Sequence, residues 1–168
     1  WLEKLENELC GRKVDHLIVQ HLEPDHSAGI DALSEKFPEM KIICSAGALK
    51  MLPNFCDVSL DRVMAVKEND TLCLGKHTLT FVMAPMVHWP ETMVTFDSTD
   101  GILFSGDAFG CFGALNGGCI DKNINTEIYM GEMRRYYSNI VGKFGNPVQK
   151  ALQKCSGLDI KMICPTHG

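Results

Sequence analysis

Leu2, Leu5 and Leu9 recur at helical spacing among charged residues, so residues 2–9 are predicted to form an amphipathic helix that Gly11 ends. Residues 14–20 then read as a short strand, giving way to the polar segment His21-Leu22-Glu23-Pro24-Asp25-His26. Over 27–37 the apolar positions Ile30, Leu33 and Phe37 return to a helical period, and Pro38 stops the helix. A strand over 41–45, a helix over 46–52 and a strand over 62–66 follow, with a turn at Glu68-Asn69-Asp70.

The pattern then changes. Residues 71–74, 78–84, 92–97 and 102–105 read as successive strands separated by turns, one of them Thr99-Asp100-Gly101. Residues 108–118, rich in glycine and in small or aromatic side chains, read as a loop. A helical stretch over 127–155 is expected to break near Gly145-Asn146-Pro147, and 158–164 is a last strand before Pro165-Thr166-His167-Gly168. Alternating helices and strands at both ends with a strand cluster between them predict a layered α/β domain.

Bulk properties narrow the partners. The 168 residues suit one compact domain, and their 45% hydrophobic and 22% charged content is ordinary for a globular protein. Net charge is −5 with no clustered Lys/Arg surface, so no nucleic-acid partner is expected. No apolar run approaches the roughly 18–20 residues that span a bilayer, and Trp1–Leu5 reads as amphipathic helix and not as a signal peptide, so no membrane partner is expected. The eight cysteines, Cys10, Cys44, Cys56, Cys73, Cys111, Cys119, Cys155 and Cys164, include no Cys-x-x-Cys pair. Most read as free buried thiols, which points to a reducing cytoplasm. The nine methionines read as core filling.

The chemistry is carried by position. His21, His88, Asp107 and His167 each fall just past the C-terminal end of a predicted strand, and the ends of neighbouring strands in an α/β sheet share one rim, where active sites assemble. Four of the chain's six histidines belong to the set His21, Glu23, Asp25, His26, His88, Asp107 and His167. In an extended stretch His21, Glu23 and Asp25 point the same way, Pro24 stiffens the turn, and Asp25-His26 reach around the start of the next helix, with Asp25 or Ser27 available as its N-cap. Four donors within six residues are too many for one four-coordinate ion and suit two ions side by side. Imidazole and carboxylate without thiolate favour iron, manganese or zinc, and the two oxygens of Asp107 could bridge a pair. Gly106 and Gly168, beside Asp107 and His167, fit tight turns. His16 and His77 are lone histidines with no function assigned. Trp89 and Phe109 are expected either to line the pocket or to pack in the core.

The motif His21-x-Glu23-x-Asp25-His26 is followed by 61 residues to His88, 18 more to Asp107 and 59 more to His167. With the segments His88-Trp89-Pro90-Glu91-Thr92-Met93, Leu103–Gly110, Tyr136-Tyr137-Ser138-Asn139-Ile140 and Pro165-Thr166-His167-Gly168, this pattern resembles the metallo-β-lactamase-like domain of the flavodiiron proteins, or A-type flavoproteins. The resemblance runs from about residue 14 to Gly168. It implies an αββα sandwich, here N-terminally truncated, over residues 1–168, with His21, Glu23 and His88 on one iron, Asp25, His26 and His167 on the other, and Asp107 bridging.

Glu23 stands where hydrolases of the wider superfamily carry a second histidine. An added anionic oxygen suits a redox iron pair better than a zinc pair that activates water. The resemblance therefore implies two iron ions per chain and a cytoplasmic enzyme reducing O₂ to water or NO to N₂O. It further implies electrons supplied through FMN from a flavodoxin-like domain beyond His167, a head-to-tail homodimer, and a donor such as rubredoxin or a flavoprotein. No Gly/Ser/Thr-rich phosphate loop in these 168 residues would hold FMN, so the chain reads as a fragment or a shortened version. Two rival readings are a di-iron module that binds O₂ reversibly as a sensor without turnover, and a dinuclear zinc hydrolase, against which Glu23 argues.

Overall fold

The computed structural model describes residues 1–114, 118 and 120–168, so part of the expected 108–118 loop, and Cys119, lie outside the described residues. The chain divides into two compact units, residues 1–66 and 67–168.

The first unit is built on a parallel sheet of order β1-β2-β3, comprising β1 (His16–Val19), β2 (Lys41–Ser45) and β3 (Val63–Val66). β2 is the central strand, and Ile42, Ile43, Cys44 and Ser45 are all buried, as expected of a strand covered on both faces. Helix α1 (Leu2–Leu9) turns Leu2 and Leu5 onto the core and ends at Cys10, which takes the left-handed conformation. Where one helix over 27–37 was expected there are two, α2 (Pro24–Ser27) and α3 (Ile30–Lys36). Pro24 starts the first early because proline, lacking an N–H, suits a helix's first turn. Ile30 and Leu33 of α3 join Val19, Leu22, Met40 and Ile42 in the core. Helix α4 (Ala46–Met51) is capped by the Ser45 hydroxyl, which accepts the Ala48 N–H at 3.0 Å.

The second unit holds a five-stranded sheet of order β4-β5-β6-β7-β8. Its strands are β4 (Thr71–Cys73), β5 (Thr78–Met83), β6 (Met93–Asp97), β7 (Ile102–Gly106) and β8 (Met162–Pro165). The β4–β7 neighbours are antiparallel, whereas β7 and β8 run parallel. Two reversals between β5 and β7 restore direction, so β5, β7 and β8 all end on one rim. The long return from β7 to β8 contains α5 (Thr126–Ile140) and α6 (Gly145–Cys155). The helical break falls at residues 141–144, earlier than expected, because Gly145-Asn146-Pro147 opens α6 instead of interrupting a helix; Pro147 again sits in a first turn. Val141 and Val148 pack against Val82, Val94, Phe96 and Leu103 of the sheet.

The seven described cysteines are free thiols, with Cys44 and Cys56 buried and Cys10 and Cys73 exposed. Burial pushes the Cys44 thiol up to about 11, and burial with the nearby Asp31 carboxylate does the same for Cys56. Among the described residues no helix is long and apolar enough to cross a membrane.

Ile42 has no exposed surface at the centre of the first unit. Ile42→Ala is expected to cost about 2–5 kcal/mol, read as a lower urea midpoint.

Candidate metal centre

β1 ends at Val19, and the chain continues through Gln20 into the polar hexapeptide. Leu22 is fully buried in the core of the first unit, which pins the segment. Its neighbours His21 and Glu23, one residue to either side, share the other face, and His21 Nε2 lies 3.4 Å from Glu23 Oε2. The alternation stops there. Asp25 belongs to the first turn of α2, so it does not continue the extended face on which the sequence pattern placed it. The N-cap of α2 is Glu23 and neither Asp25 nor Ser27; the Ser27 hydroxyl instead donates to the Leu22 carbonyl at 3.0 Å. The helical turn sets His26 beside Asp25, Nε2 to Oδ1 3.6 Å, and brings its ring to 5.3 Å from that of His21. The four donors thus fall into two pairs, His21 with Glu23 and Asp25 with His26.

In the second unit the C-terminal rim of the sheet carries the other three. His88 sits in a tight turn five residues beyond β5, closed by Ala84 N–H to Thr92 O and Met86 N–H to Trp89 O; its Val87–His88 peptide is cis. Asp107 follows a bulge at the end of β7. Phe104 pairs with Cys164 and Gly106 with Pro165, so Ser105 is the extra residue, and Gly106 takes φ +60°. His167 lies two residues past β8, with Thr166 N–H bonded to Gly106 O at 2.8 Å. His88 Nε2 is 3.1 Å from Asp107 Oδ2, and His167 Nε2 is 3.3 Å from Asp107 Oδ1. The carboxylate is buried, its side chain 3% exposed.

One rim of one sheet was expected for all four strand-end donors. It holds for His88, Asp107 and His167, but β1 belongs to the other sheet, with β2 and β3.

A buried carboxylate with a different imidazole at each oxygen fits a pair of metal ions. Donors sharing an ion at about 2.0–2.2 Å stand roughly 3 Å apart, and each Asp107 oxygen meets one imidazole at about that separation. Nitrogen and oxygen donors without thiolate suit iron, manganese or zinc.

Two side chains to which the sequence assigned no role belong to this region. Glu91 is 2% exposed within the turn that carries His88. Tyr136 is buried on α5 with its ring 6.0 Å from that of His167. Each lies within a family-like segment, but only burial separates them from their neighbours. Phe109 is 48% exposed, which rules out core packing for it. Trp89 is half-buried, its ring edge-on to His88 at 6.2 Å.

The sequence pattern of the family described as ODP family beta lactamase matches residues 2–168. The chain belongs to that family. A coenzyme F420H(2) oxidase of Methanothermobacter marburgensis is 38% identical over 165 residues, 93% of this chain and 40% of that protein. A nitric oxide reductase of Moorella thermoacetica is 34% identical over 159 residues, 93% of this chain and 39% of its own. The crystal structure of the flavodiiron protein from Giardia intestinalis superposes with a TM-score of 0.92 at 28% identity, covering all of this chain and 41% of that one. The chain therefore spans about two fifths of the length of the curated relatives it matches. The flavodiiron resemblance and the metallo-β-lactamase-like α/β class are both borne out.

A further His/Asp group lies at the opposite rim of the second sheet and is structural. His77 Nδ1 meets Asp97 Oδ2 at 2.7 Å, and Asp97 Oδ1 accepts the Thr99 N–H at 2.9 Å. Burial raises the Asp97 carboxyl, but the Thr99 N–H and the His77 ring outweigh it, leaving Asp97 below the usual carboxylate range. A depressed folded value means that this contribution to stability is present above the unfolded pKa and is lost as pH falls through the folded one. Asp97→Asn is accordingly expected to be less stable than wild type at pH 7, with the difference shrinking below about pH 4, as measured by denaturant titration across pH.

Proposed function

We propose that residues 1–168 serve as the di-iron domain of a flavodiiron-type oxidoreductase that reduces O₂ to water or NO to N₂O. The observation that carries this reading is the Asp107 carboxylate, each of whose oxygens faces a different imidazole. Relatives named as an oxidase and a nitric oxide reductase support the reaction class. His21, Glu23 and His88 would hold one iron and Asp25, His26 and His167 the other, with Asp107 bridging. Within the first unit the pairing of His21 with Glu23 and of Asp25 with His26 supports that division.

When bound, two adjacent ferrous ions supply a pair of electrons to a diatomic ligand. The chain's own groups prepare that chemistry. Glu23 adds an anionic oxygen that favours the harder, higher-valent state, and buried Asp107 offers two carboxylate oxygens, each beside a different imidazole. His21 and His88, both largely buried, offer nitrogen donors away from bulk water. Further electrons would come through FMN on a flavodoxin-like domain, from a donor such as rubredoxin or a flavoprotein, in a head-to-tail homodimer. The free thiols support a cytoplasmic setting.

Metal analysis of the purified protein tests the reading. Two irons per chain are expected; two zincs with esterase or phosphodiesterase turnover would replace it with the hydrolase. Asp107→Ala is expected to lose both ions and His167→Ala only one, while Glu23→His should shift occupancy from iron toward zinc. Stopped-flow mixing of the reduced protein with O₂ or NO, with an FMN-bearing partner, should show consumption of the gas. A persistent reversible O₂ adduct without water formation would mark a sensor instead.

A further inference from the structure

We propose that Tyr129 is a positioning residue for the metal centre: from α5 it holds the loop over residues 108–114, and through that loop the spacing of Asp107 and His167. The consequence for metal rests on the di-iron reading above; the geometry lies wholly within the second unit.

The loop contains no helix or strand, yet it joins two of the proposed ligands. Gly110 N–H donates to Asp107 O at 3.0 Å and Cys111 N–H to His167 O at 3.2 Å. Tyr136 holds the start of the loop, since a Cβ at Gly110 would stand 2.8 Å from its ring and Phe112 lies edge-on to that ring at 5.0 Å, which leaves the stretch beyond Phe112 to be secured.

Tyr129 supplies the tether in three ways. Its hydroxyl donates to Ala114 O at 2.9 Å. Its ring lies so close to Gly113 that a Cβ there would stand 2.7 Å from a ring carbon, so only glycine permits the approach. Its carbonyl lies 3.9 Å from the Cys111 Sγ, on the residue whose amide holds His167. One α5 side chain therefore packs on Gly113 and Ala114 at the far end of the loop. Arg135, one and a half turns on, adds a stacking contact, its guanidinium 4.3 Å from the Phe112 ring centre.

Tyr129 touches neither Asp107 nor His167 and acts on them through the loop. Loss of groups bonded directly to metal ligands typically lowers metal affinity about 10–100-fold, so a smaller loss is expected here.

Two measurements on Tyr129→Ala, Tyr129→Phe and Gly113→Ala test the proposal. In metal-free protein, Tyr129→Ala should speed hydrogen exchange of the Cys111 amide roughly tenfold, with smaller effects in the other two variants and α6 amides unchanged. In Co(II) titrations, wild type should bind two ions and Tyr129→Ala should bind them more weakly, by up to about 10-fold. Unchanged Cys111 exchange in Tyr129→Ala and Gly113→Ala overturns the tether, whatever metal wild type binds. Wild-type Co(II) affinity in Tyr129→Ala despite fast Cys111 exchange overturns its role at the metal alone. A wild type that binds no pair of Co(II) ions sinks the di-iron reading and, with it, that role. If Tyr129→Ala unfolds, seen as fast exchange throughout α6, the other two variants decide by the same criteria.

Discussion

Two imidazoles facing opposite oxygens of one buried carboxylate impose the demand that the second unit is organised to meet. A carboxylate removed from water is costly unless positive charge or hydrogen-bond donors compensate it. Asp107 meets its partners from two directions, with His88 arriving from β5 and His167 from β8. That is possible because β5, β7 and β8 run the same way and deliver their C-terminal ends to one rim. Had β8 joined the sheet antiparallel, as its neighbours did, His167 would have emerged at the rim occupied by His77 and Asp97. The parallel return requires a long crossover, which is why α5 and α6 intervene between the last two strands.

Direction alone would not aim the carboxylate. The bulge that inserts Ser105 between Phe104 and Gly106, with Gly106 in a left-handed conformation, turns the chain just before Asp107. Ser105 is buried and its hydroxyl donates to Ala108 O at 2.7 Å, closing the turn from the far side. The Gly106–Thr166 and Cys111–His167 hydrogen bonds then fix these two segments to each other, so the register of β7 on β8 becomes the spacing of Asp107 and His167.

In the first unit the same problem is solved over six residues. Burial of Leu22 fixes which way His21 and Glu23 face, and the start of α2 at Pro24 rotates Asp25 and His26 into a second pair. A strand continued through this segment would have set three donors in line and sent His26 to the opposite face.

Much of this was legible in the residues. The β2 bounds, the succession of strands β4 to β7 and the helical stripe of α1 follow from apolar runs and hydrophobic period along the chain. The proposed donors stood out through side-chain chemistry and spacing, which need no coordinates. Tertiary structure alone decided that the strands form two sheets, that the hexapeptide turns helical at Pro24, that α6 opens at Gly145, and that the Tyr136 ring comes to 6.0 Å from that of His167. These depend on contacts between residues distant in the chain or on the fate of a proline or glycine that suits several local conformations. Periodicity records which face a residue presents; it does not record what that face will meet.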